Sequence, residues 1–205
     1  MRLTTRDVSA LTVPAMQYYA DVPYHNWGHA IEVAEDSVAL LDDVDDRPSR
    51  VNRGLLRLAA AWHDAGHEDP LAENFETKEH YAVHLMHQHL DARLSELQLA
   101  ELEEAILGTR FNVARHSLMA VALHYGDIGN MMHEYPDFFD HTARLWDEYG
   151  RPDWETWREN AVRIITHSIA EADYELPRLG IGDSRYQVRM KQNVARLMNE
   201  PEPTL

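Results

Sequence analysis

The stretch Leu55-Leu56-Arg57-Leu58-Ala59-Ala60-Ala61-Trp62-His63-Asp64 is apolar on nearly every side of a helix and then ends on two polar, titratable groups. A helix that is apolar all round is buried inside a fold rather than laid on its surface. Its carboxyl end therefore carries an imidazole and a carboxylate into or beside the core. An ionised carboxylate there is costly unless it is paired or bound to metal. Conflict of this kind between local pattern and polarity marks functional sites.

On both sides of that stretch the periodicity is helical, and no segment alternates as a strand series does. The reading is an all-α protein: one compact helical bundle of about six to eight helices over residues 1–205. Helices are expected over about 5–20, interrupted near Pro14, then from Trp27 to Leu41, Val51 to Asp64, and Asn74 to Arg93. Ser95 and Gln98 form a capping box for the next one, and another runs from His116 to Tyr125. The last two, about 153–173 and 184–198, begin at the N-cap residues Asp153 and Asp183. Breaks are expected at Arg47-Pro48-Ser49, Glu68-Asp69-Pro70, Tyr135-Pro136-Asp137, Arg151-Pro152-Asp153 and Gly180-Ile181-Gly182-Asp183. Trp154, Trp157, Ile164, Ile165 and Ile169 read as core or oligomer packing, which is compatible with a homodimer.

Composition narrows the function. With 44% hydrophobic residues in 205, the chain can bury a sizeable core. Disulfides and thiolate metal sites are excluded because there is no cysteine. The net charge of −16 argues against wrapping a nucleic-acid duplex. It leaves room for a small phosphorylated substrate, because a bound cation reverses the local field. No run approaches the roughly 20 apolar residues of a membrane helix, and the amino terminus lacks a signal-peptide pattern; a soluble, cytoplasmic protein is the expectation.

Thirteen histidines are clustered rather than spread evenly. Four short segments combine them with carboxylates: Tyr24-His25-Asn26-Trp27-Gly28-His29-Ala30, His63-Asp64-Ala65-Gly66-His67, Asn74-Phe75-Glu76-Thr77 and His124-Tyr125-Gly126-Asp127-Ile128-Gly129-Asn130. Imidazole nitrogen with carboxylate oxygen suits zinc, manganese, iron, nickel or magnesium and not a soft, thiophilic ion. An ion held by His29, His63, Asp64 and Asp127 would keep positions open for water or substrate, acidify water and polarise a phosphoryl oxygen. Lys78 and Arg110 are candidates for substrate phosphate, the first as a point charge and the second as a bidentate donor. Trp27 suits either stacking on a base or packing beside the helix start.

The order His, His-Asp, distant Asp resembles the HD superfamily of metal-dependent phosphohydrolases. The segments Pro23–Ala30, His63–His67, Asn74–Thr77 and His124–Asn130 are similar, in order and spacing, to the signatures of class I cyclic-nucleotide phosphodiesterases. The resemblance implies an HD-type helical domain with its metal-site core at about 23–131 and the helices of 153–199 packing on it. It implies that His29, His63, Asp64 and Asp127 hold a tight divalent metal ion and that Asp64 bridges to a second, looser one. His25 would be the general acid, a task that suits an imidazole. Glu76 would hydrogen-bond the bridging water, with His67 beside it. No counterpart of the purine-gripping glutamine region of those phosphodiesterases is found. The compact bacterial HD hydrolases of nucleotides, pyrophosphates and other phosphate esters fit the length better.

Two alternatives belong to other classes. A di-iron oxygenase of the same superfamily would recruit His84, His87 and His116, but Ile106-Leu107-Gly108-Thr109-Arg110 lacks a histidine. A non-catalytic sensor would keep the scaffold to bind nucleotide or metal. His80, His84, His87 and His89 read more simply as the polar flank of a helix.

Overall fold

The computed structural model describes residues 3–42, 51–181 and 185–204. The described residues form nine α-helices and short 3₁₀ turns, with no strand among them. The expected break at Arg47-Pro48-Ser49 and the N-cap at Asp183 lie outside the described residues. Two compact units emerge: described residues of Met1–Asp21 with His25–Asp127, and of Val22–Tyr24 with Ile128–Leu205.

The first unit opens with α1 (Thr5–Thr12), where Thr4 and Asp7 complete a capping box. Pro14 follows near the start of a 3₁₀ turn, Val13–Tyr18, after which Tyr19 is extended. Then come α2 (Trp27–Asp42), α3 (Arg53–Trp62), α4 (Lys78–Leu90), α5 (Glu96–Leu107) and α6 (Leu118–Asp127). As the sequence anticipates, α3 is central: Leu55, Leu56, Leu58, Ala59, Ala60, Ala61 and Trp62 are all buried. It packs against α1, α2, α5 and α6. Helix α6 is buried without a break from Met119 to Gly126. It approaches α2 so closely that a Cβ on Gly126 would stand 1.9 Å from Ser37 Oγ.

The expected helix from Asn74 starts later. Asn74 closes a 3₁₀ turn, Pro70–Asn74, and Phe75 is extended. Thr77 then caps α4 by accepting from the His80 N–H. Ser95 and Gln98 form their box at the start of α5, as anticipated.

In the second unit, α7 (Tyr135–Glu148) begins where the sequence predicts a break. Pro136 sits in its first turn, where a missing N–H costs nothing, so it begins the helix instead of ending one. Helix α8 (Trp154–Leu179) is capped by Asp153 and runs past the expected end until Gly180 closes it at φ 89°. Helix α9 (Arg185–Leu197) completes the unit. Tyr135, Phe138, Trp146, Trp154, Ile165, Met190 and Leu197 make its core, with Trp157 and Ile169 packed against it. Ile164 is exposed. Among the described residues no helix is long and apolar enough to cross a membrane.

Candidate metal centre

Three helix ends of the first unit supply the site. His29 lies in the first turn of α2, where the Asn26 side chain accepts from the N–H groups of Gly28 at 2.7 Å and His29 at 3.3 Å. That is an N-cap, and it fixes the entry angle of the helix. His63 directly follows α3 and Asp64 comes next. Asp127 is the last residue of α6. Both carboxylates therefore sit at helix carboxyl ends, where the negative end of the macrodipole favours a cation.

The ligand atoms of His29, His63, Asp64 and Asp127 all lie within 4.8 Å of one another. His29 Nε2 is 3.2 Å from Asp127 Oδ1 and 3.6 Å from Asp64 Oδ2. His63 Nε2 is 3.0 Å from Asp64 Oδ2 and 3.3 Å from Asp127 Oδ1. The His63 Nδ1–H donates to the Ala60 carbonyl at 2.7 Å, which leaves Nε2 with its lone pair toward the group. That Nε2 is fully buried and, among the described residues, has no hydrogen-bond partner. A buried polar atom without a partner costs about 1–3 kcal/mol, and a metal ion is the partner this donor set fits. The four residues are thus brought together from segments up to 98 residues apart.

Electrostatics point the same way. Burial alone would lower the His63 imidazole, yet the Asp64 and Asp127 carboxylates together hold it well above its usual range. Burial would raise Asp64 and Asp127, but His63 draws both well below the ordinary carboxylate range. Two carboxylates that draw positive charge to this point favour a divalent cation there.

His25 and His67 stand next to this group. Their rings stack at 3.9 Å between centroids with planes 11° apart, and His25 meets His29 edge-on at 5.8 Å. His67 Nδ1 lies 3.7 Å from Asp64 Oδ1, and its Nε2 lies 3.6 Å from Glu68 Oε1. The other candidates are not gathered into the cluster. Glu76 is exposed, with its carboxylate 3.8 Å from His80 Nε2 and 4.0 Å from Arg110 Nη1. Lys78 Nζ is 3.7 Å from Glu68 Oε1. His84 meets Gln88 at 2.9 Å, and His87 sits between Asp91 and Glu103. His116 is exposed. His124 is buried against Thr109 and Arg115, and burial followed by the Arg115 charge pushes its pKa down to about 3, which keeps it neutral.

Sequence reading missed Tyr19. Its hydroxyl donates to the Ala61 carbonyl at 3.1 Å, and its ring meets Trp27 edge-on at 5.4 Å. Burial, then the Asp64 carboxylate, hold the phenol proton well above its usual range, so it remains a donor. No motif announces it, since the acceptor of its hydroxyl lies 42 residues away. Trp27, for which two roles were open, packs on this ring.

No protein-family model matches the chain, and no curated protein matches it. Solved structures do. The phosphodiesterase domain of the RhoPDE fusion protein from the choanoflagellate Salpingoeca rosetta matches with a TM-score of 0.71 at 18% identity, over 95% of this chain and 83% of that one. The phosphodiesterase domain of Salpingoeca rosetta rhodopsin phosphodiesterase matches with a TM-score of 0.67 at 17% identity, over 93% of this chain and 79% of that one. The chain shares the fold of these domains.

Proposed function

We propose that this protein is a metal-dependent phosphohydrolase that cleaves a small phosphate ester, nucleotide-like in character, with His29, His63, Asp64 and Asp127 holding the cation. The observation that carries the reading is the buried His63 Nε2, which makes no hydrogen bond between two carboxylates. The fold shared with phosphodiesterase domains supports a phosphodiester as the substrate class. A divalent ion in such a site polarises a phosphoryl oxygen and acidifies water.

The remaining work falls to the chain's own groups. His25 donates a proton to the leaving oxygen, and the stack on His67 holds its ring in one orientation. Asp64 and Glu68 in turn flank His67, so the proton donor and the ligands belong to one connected group. Glu76 takes no step in this scheme, because its exposed carboxylate faces Arg110 and His80. Arg110 and Lys78 stay proposed as phosphate contacts, each resting beside an acidic neighbour that a bound phosphate would replace.

The test is a panel of cyclic nucleotides, nucleotide mono- and diphosphates and aryl phosphodiesters, assayed with manganese or magnesium. Cation-dependent hydrolysis is expected, falling to background in His63→Ala and Asp64→Ala with helicity retained. Full activity in either variant contradicts the reading. Nucleotide binding with no turnover of any compound replaces it with a sensor.

A further inference from the structure

We infer that Tyr19 is a positioning residue for the metal-binding turn, holding the end of α3 through its hydroxyl and the start of α2 through its ring; this rests on the reading of His29, His63, Asp64 and Asp127 as ligands.

A helix carboxyl end leaves carbonyls in need of donors, and here those carbonyls immediately precede the ligands. The Ala60 carbonyl takes the His63 Nδ1–H at 2.7 Å, the Trp62 carbonyl takes the Ala65 N–H at 3.2 Å, and the Asp64 carbonyl takes the His67 N–H at 3.0 Å. These bonds are internal to the turn and move with it. The Ala61 carbonyl takes the Tyr19 hydroxyl at 3.1 Å, from 42 residues away. The neighbouring Gly66 N–H donates to the Tyr18 carbonyl at 3.0 Å. The Tyr18–Tyr19 segment thus ties the ligand turn to the rest of the unit, through a backbone bond at Tyr18 and a side-chain bond at Tyr19.

The same residue reaches the other ligand-bearing helix. Its ring packs on Trp27, the first residue of α2, two positions before His29. Tyr19 is aimed there because the 3₁₀ turn ends at Tyr18 and Tyr19 turns extended, at φ −97° and ψ 125°. Its neighbour points elsewhere: the Tyr18 hydroxyl bonds His89 Nε2 at 2.7 Å, and its ring lies against Trp62. Loss of a group that orients ligands typically weakens metal binding by 10- to 100-fold.

The experiment titrates full-length wild type, Tyr19→Phe and Tyr18→Phe with Mn²⁺ by calorimetry and melts each metal-free protein. Tyr19→Phe keeps the ring and removes the hydroxyl; its Mn²⁺ Kd is expected to rise about tenfold or more. Tyr18→Phe is expected to lower the melting temperature and leave Kd within twofold of wild type. A Tyr19→Phe protein that binds Mn²⁺ as wild type does overturns the inference and leaves the metal reading standing, whatever its melting temperature. An equal rise in Kd for both variants also overturns it, since the effect would then be general loosening. Wild type that binds no Mn²⁺ overturns both.

Discussion

His63 and His87 each stand between two carboxylates, and the protein treats them in opposite ways. His87, on α4, is half-exposed and hydrogen-bonds Asp91 Oδ1 at 2.6 Å and Glu103 Oε2 at 3.4 Å. His63 is fully buried and makes no hydrogen bond through Nε2, although Asp64 and Asp127 are as near as 3.0 and 3.3 Å. Its Nδ1 is spent on the Ala60 carbonyl. The carboxylates lift both imidazoles above their usual range against the effect of burial. The same three groups make a surface clasp between α4 and α5 in one place and part of a cluster that could hold a metal ion in the other. Residue type does not separate the two cases. Water access and the geometry of the second nitrogen do.

The sharpest way to break this comparison is to delete each histidine in turn. His63→Ala is expected to abolish tight divalent-cation binding and hydrolysis, while His87→Ala leaves both within a factor of two; calorimetry and a phosphodiester assay read the difference. Equal losses in the two variants would show that the clasp and the ligand set are not distinct.

Gly66→Ala tests the turn that carries the ligands. Gly66 has φ 78°, and a Cβ there would lie 2.6 Å from Tyr81 Cε1. The backbone strain and the clash together are expected to cost about 2–3 kcal/mol in urea unfolding, with no counterpart near His87. A smaller effect follows from Asn26→Ala, which removes the cap that fixes His29. About 1 kcal/mol of stability should be lost, together with metal affinity, because the cap and the ligand share one helical turn.

The smallest effect is pH dependence at His87. Its folded pKa is raised, so its two ion pairs contribute below the unfolded value of about 6.5 and are lost as pH rises through the folded one. Because the pair is exposed and screened, the contribution is a few tenths to about 1 kcal/mol. Denaturation midpoints of wild type and His87→Ala should therefore differ at pH 5.5 and converge by pH 9. A gap that widens with pH contradicts the assignment.

What could be read from the chain follows the range of the interactions involved. Helix α3 was legible because seven of the eight residues Leu55–Trp62 state its burial, and His63-Asp64 because they break that statement. The gathering of His29 and Asp127 around them was legible only through a resemblance, since nothing local encodes a contact across 98 residues. Pro136 misled because a proline stops a helix or starts one, and only the buried face of Tyr135, Phe138, Thr142 and Trp146 decides which. Glu76 carries a motif, yet Thr77 caps α4 just after it and leaves its side chain exposed beside Arg110. Tyr19 was invisible for the opposite reason: its role depends on one carbonyl of a distant helix, and a carbonyl has no sequence signature.

The central claim is that a divalent cation is the missing partner of His63. Purified protein loaded with manganese and passed through a desalting column should retain about one ion per chain by mass spectrometry of its metal content. His63→Ala, loaded and desalted identically, should retain none. Wild type that retains no metal, or a variant that retains as much as wild type, contradicts the account.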